Sequence, residues 1–192
     1  MRRIISLVAV SLLLAATALA QQGVPLQTSL QTAYEAIKRN LTGAAEKMAE
    51  ADYGSKPSAM PEVRTYGKLF GHVANAQYGS CAVVKGVPNP NQGNNLEMKT
   101  TKAEFVKALA DSFAFCDDAF SSLSDANLLQ MVTRGRGQLT RAAVLADLIA
   151  HSDEMYGTAA VYLRAKGIVP PSTDEEAARR GGPGRGAGRG GQ

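Results

Sequence analysis

Residues 141–167 read RAAVLADLIAHSDEMYGTAAVYLRAKG, and the period of their apolar positions decides the fold. Val144, Leu148, His151, Met155, Ala159 and Tyr162 recur every three or four residues. That spacing keeps them on one face of a 3.6-residue helix. Thr140 stands before the stretch as an N-cap, Gly167 follows as a stop, and Pro170 and Pro171 lie beyond. A run of about 27 residues makes a helix of roughly 40 Å.

Three more segments show the same period. Leu26, Leu30, Ala33, Ile37, Leu41, Ala44 and Met48 form one stripe, ended by the glycines and prolines of residues 53–61. A second segment, from about Arg64 to Lys85, carries Tyr66, Leu69, Phe70, Val73, Gln77, Cys81 and Val84, and stops at Gly86 in the polar loop GVPNPNQGNN. The third, about Lys102 to Leu123, places Phe105, Leu109, Phe113, Cys116, Phe120 and Leu123 in one narrow arc. Four amphipathic helices of similar length, with almost no strand signal, predict an all-α four-helix bundle. Between the third and fourth, MVTRGRGQ reads as a glycine-rich connector.

The termini differ from this body. Residues 1–20, MRRIISLVAVSLLLAATALA, follow the order of a secretory signal peptide: two arginines, an apolar run, then Ala18-Leu19-Ala20. The apolar run of about 14 residues is short for a span needing roughly 20. Cleavage after Ala20 is therefore expected, leaving an exported chain, periplasmic or secreted, without a stable membrane anchor. Residues 21–171 form one bundle domain. Residues 172–192, ending RRGGPGRGAGRGGQ, are low in complexity and are expected to be a disordered Arg/Gly-rich tail.

The formal charge of +4 is not spread over the domain. Residues 21–171 hold 15 basic and 14 acidic side chains, so no basic footprint supports a nucleic-acid partner. Cys81 and Cys116 both lie on inward stripes. In an exported chain such a pair is expected to form a disulfide, and the absence of CxxC spacing speaks against a redox-active pair. A homodimer stays open, as does the identity of any small-molecule or protein partner.

The chain has two histidines, His72 and His151. His151 and Met155, one turn apart, share the inward face of the fourth helix, and His72 flanks the stripe of the second. A bundle core can bring such side chains together from two helices. Three donors with open positions are what a catalytic metal site requires. Asp147, one turn before His151, either orients that imidazole or sits at the stripe's edge. The plainer reading is packing, since an inward histidine is often hydrogen-bonded core and an inward methionine usually fills space. No GxSxG, Walker loop or HExxH occurs.

The last helix, LTRAAVLADLIAHSDEMYGTAAVYLRAKGIVPPS, resembles the final core helix of the DinB/YfiT-like superfamily. VRTYGKLFGHVANAQYGSCAVVKG is similar to its histidine-bearing helix and FVKALADSFAFCDDAF to its third, so the resemblance spans about Pro25 to Ser172. It implies a four-helix bundle holding a divalent metal, zinc or nickel, on one histidine from the second helix and an HxxxH pair from the fourth. Several members are thought to be metal-dependent thiol transferases or related enzymes. His72 matches the first ligand and His151 the second, while the third position holds Met155. A thioether is a poor ligand for zinc or nickel beside the imidazole it replaces.

Three functions follow from this reading. The first is a non-catalytic member with a degenerate site, serving as a binding or structural module. The second is a metal-dependent enzyme in which water or Asp147 completes a site with His72 and His151. The third is a periplasmic copper-binding protein, since two imidazoles and a thioether form a softer set that suits copper(I).

Overall fold

The computed structural model describes residues 23–180. The expected signal peptide lies outside these residues, as does the end of the glycine-rich tail. Four long helices make the bundle: α1 (Leu26–Lys47), α2 (Tyr66–Lys85), α3 (Lys102–Ser121) and α4 (Arg141–Ala165). Single 3-10 turns interrupt the loops at Glu50–Asp52 and Leu96–Met98. α3 and α4 each pack against both α1 and α2, whereas α1 and α2 make few contacts with one another. The all-α architecture expected from periodicity is therefore the one observed.

Each helix begins and ends for local reasons. Thr101 and Glu104 form a reciprocal capping box at the start of α3, with Glu104 N–H on the Thr101 hydroxyl and Thr101 N–H on the Glu104 carboxylate. The Thr100 and Thr101 backbone N–H groups draw that carboxyl down to about 2. Thr140 caps α4 as expected, its hydroxyl accepting from Ala143 N–H at 3.1 Å. After α4, Gly167 takes a positive φ of 72°, and Ile168 N–H closes the end on Leu163 C=O at 2.9 Å.

The inward stripes meet in one core. Tyr66 and Phe70 are fully buried, edge-on with centroids 5.0 Å apart, and Tyr53 from the α1–α2 loop lies edge-on to Tyr66 at 5.4 Å. Buried tyrosines need a partner for their hydroxyl. Tyr66 donates to Ala44 C=O at 2.7 Å and Tyr34 to Phe113 C=O at 3.0 Å. Cys81 and Cys116 are both fully buried and bonded to one another, Cα atoms 5.4 Å apart, tying α2 to α3.

Two expectations need correction. MVTRGRGQ is not a plain connector: Met131–Arg134 and Gly137–Thr140 pair as an antiparallel hairpin. Gly135, with φ of 62°, sits first in the two-residue turn, where a positive φ matches the twist of the strands. Val132 and Leu139 face each other across it and pack on the core, which no segment this short signals by period alone. The tail also does not lose structure at Ser172. Pro171–Arg180 forms a helix, α5, that docks on α1. Pro171 opens it, and Asp174 and Glu175 stand near its positive end while pairing with Lys47 and Arg39 of α1.

Candidate metal centre

α2 and α4 pack side by side, and this contact brings the two histidines together. The His72 and His151 rings lie edge-on, centroids 4.9 Å apart. Both are partly buried. Among the described residues His151 Nε2 is buried and has no hydrogen-bond partner, and its imidazole is pushed below the usual histidine range, first by burial and then by the neighbouring His72. A buried ring nitrogen without a partner is left able to take a ligand or an ordered water.

His72 is held by a residue that the sequence did not single out. Glu97, on the 3-10 turn between α2 and α3, places Oε1 2.8 Å from His72 Nδ1. Arg64, just before α2, donates to the same carboxylate from Nε at 3.0 Å and from Nη2 at 3.4 Å. Burial raises the Glu97 carboxyl, but the hydrogen bonds and charges of Arg64 and His72 outweigh it, and the group stays below the ordinary carboxylate range. One signal in the sequence pointed that way: Glu97 is the sole charged residue between Lys85 and Lys99. Nothing in the spacing tells that it reaches back 25 residues to His72.

The turn that delivers Glu97 is pinned to α2. Leu96 N–H donates to the Asn75 side-chain oxygen at 3.1 Å, and the Asn95 side chain accepts from Glu97 N–H at 3.0 Å. Gly71, one residue before His72, lets the turn approach: a Cβ there would stand 2.5 Å from the Leu96 carbonyl oxygen. Gly71→Ala is therefore expected to push the Leu96–Met98 turn outward, costing about 1 to 3 kcal/mol as overpacking does and detaching Glu97 from His72. Urea denaturation measures the first effect. An unchanged midpoint would show that the turn yields freely.

The other expected site residues fall differently. Met155 is 8 % exposed and belongs to the hydrophobic core, one turn after His151 on α4. Asp147 does not orient His151. Its carboxylate points outward to Arg134 of the hairpin at 3.5 Å, with its side chain 63 % exposed. It therefore stands as the edge residue of the two alternatives, because the hairpin supplies a cation that the sequence could not place. Among the described residues, no three His, Cys, Asp or Glu side chains are grouped to hold a metal.

Comparison with known proteins agrees with this architecture. Residues 33–159 match the DinB superfamily. A DinB-like protein from Bacillus cereus superposes with a TM-score of 0.62 at 14 % identity, covering 74 % of this chain and 93 % of its own. A DinB-like protein from Bacillus subtilis gives a TM-score of 0.59 at 17 % identity, covering 72 % of this chain and 92 % of its own. At these identities the likeness concerns the fold. No curated protein matches the chain. With the family match running through α1 to α4 and both histidines inside it, the chain belongs to the DinB superfamily.

Proposed function

We propose that this protein is an exported, non-catalytic binding module whose site keeps two imidazoles of a metal centre and lacks the third nitrogen donor. The observation that carries the reading is the donor set. His72 and His151 meet, but the position one turn after His151 holds the thioether of Met155. Neither nearby carboxylate replaces it: Asp147 is turned out to Arg134, and Glu97 is engaged at the Nδ1 edge of His72 and by Arg64. Zinc or nickel bound by three nitrogens does not fit these residues. The bridge between Cys81 and Cys116 supports an oxidising compartment.

A second reading, a copper(I) binder, is favoured by one observation: among the described residues His151 Nε2 is buried without a hydrogen-bond partner, and the buried thioether of Met155 follows one turn later on the same helix. Two imidazoles and a sulfur suit a soft ion. Loading the purified protein with zinc, nickel and copper(I) in turn, followed by dialysis and metal quantification, tests both. Substoichiometric zinc and nickel are expected. Stoichiometric zinc retained by the wild-type chain would overturn the first reading. Copper(I) bound one to one and lost in Met155→Ala selects the second.

A further inference from the structure

We infer that Glu97, held by Arg64, is a positioning residue that fixes the His72 imidazole as its Nδ1–H tautomer, so that the site offers an electron pair on Nε2 and takes electron-pair acceptors, soft cations first, rather than anions. The statement about ligands rests on the copper(I) reading above. The statement about the tautomer does not.

A guanidinium only donates, and Arg64 directs two of its N–H groups at the two oxygens of Glu97. Those oxygens therefore both accept, as an ionised carboxylate must. The third contact on this carboxylate is His72 Nδ1 at 2.8 Å, so Nδ1 carries the proton and donates. A neutral imidazole has one N–H, which leaves Nε2 as the acceptor. In water a free histidine side chain favours the opposite arrangement, so the carboxylate reverses the default. This is how carboxylates set histidines that act as metal ligands.

The frame around the pair keeps it in place. The Tyr162 hydroxyl of α4 donates to Arg64 C=O at 2.7 Å, and Asn75 of α2 holds the turn that bears Glu97. The Glu97 carboxylate offsets the charge of Arg64 beside His72. Glu97 cannot itself complete a cation site built on Nε2, because it occupies the opposite edge of the ring.

Glu97→Gln separates this role from a merely structural ion pair. Arg64 needs an acceptor, so it takes the amide oxygen, and the amide NH2 then faces His72 Nδ1. The donor and acceptor roles at that nitrogen are exchanged, and the ring is driven to Nε2–H. The chain has only two histidines, so long-range proton–nitrogen correlation on the nitrogen-labelled, metal-free protein resolves both rings above the imidazole titration range. The wild-type His72 is expected as Nδ1–H, Glu97→Gln as Nε2–H, and Glu97→Asp as Nδ1–H again. Copper(I) affinity, measured by competition with a chromophoric chelator, is expected to fall about 10- to 100-fold in Glu97→Gln. A wild-type ring found as Nε2–H, which needs no variant to fold, overturns the inference, and so does a tautomer unchanged in Glu97→Gln. If the tautomers behave as stated but the wild type binds no copper(I), the role of Glu97 stands and the copper reading falls.

Discussion

Reduction of the Cys81–Cys116 bridge is expected to cost roughly 3 to 4 kcal/mol, from the chain entropy released when a loop of this size is opened. The two residues are 35 apart in sequence, and the bridge joins α2 to α3. For a domain of this size that corresponds to a fall in melting temperature on the order of 10 °C. Other links between the same helices are weaker. Lys85 pairs with Asp118 at 3.1 Å, but the aspartate is 78 % exposed, and such pairs contribute about 0 to 1 kcal/mol. Thermal melts with and without a phosphine reductant, together with Cys81→Ala/Cys116→Ala, measure the effect. Coincident melts would mean that the α2–α3 contact is carried by packing alone.

Met155→His is expected to create zinc binding where the wild type has little. The substitution puts a second imidazole one turn after His151, whose own ring meets His72. Three imidazoles with an open position form a set that zinc accepts. Without metal the variant is expected to be less stable, because an unpaired imidazole replaces a buried thioether. With zinc at a hundredfold excess over its dissociation constant, binding linkage returns about 2.7 kcal/mol. The signature is thus a melting temperature that rises with zinc in the variant and not in the wild type. If zinc moves neither, position 155 does not face the histidine pair, and the degenerate-site reading loses its ground.

The two experiments probe different layers of the molecule. The bridge acts on the unfolded chain as much as on the fold, so its loss lowers stability without touching the donors at His72 and His151. The substitution at Met155 acts on the donor set, and its stability effect reverses with metal. Loss of the bridge that leaves the His72 and His151 ring signals unchanged would separate scaffold from site.

The four long helices were legible in the sequence because each carries an apolar stripe sustained over several turns, and burial of a stripe is a periodic demand. Thr140 and Gly167 were legible for the same local reason: a cap and a left-handed stop act within a few residues. Pairing of His72 with His151 was foreseeable once both were placed on inward or flanking positions of helices that pack. The α5 helix was hidden by the glycine-rich residues after it, although Pro171 and the acidic run from Asp174 are a helix start. The hairpin was hidden because strands of four residues are too short to show alternation, and their burial depends on the core they lean against.

Glu97 and Asp147 mark the boundary most plainly. Both are carboxylates near a histidine in some sense, Asp147 by sequence and Glu97 by space. Sequence distance put Asp147 forward, with the stripe's edge as the alternative, because one helical turn brings two residues near one face. Tertiary structure decided otherwise, since a side chain at a stripe's edge turns to whichever charge is available, and the hairpin offered Arg134. Glu97 reaches His72 only because Gly71 admits its turn and Arg64 steadies its charge. Helices and caps depend on residues within a few positions of one another and can be read along the chain. The polar contacts of a site depend on which loops arrive beside which helix, and that is settled by packing.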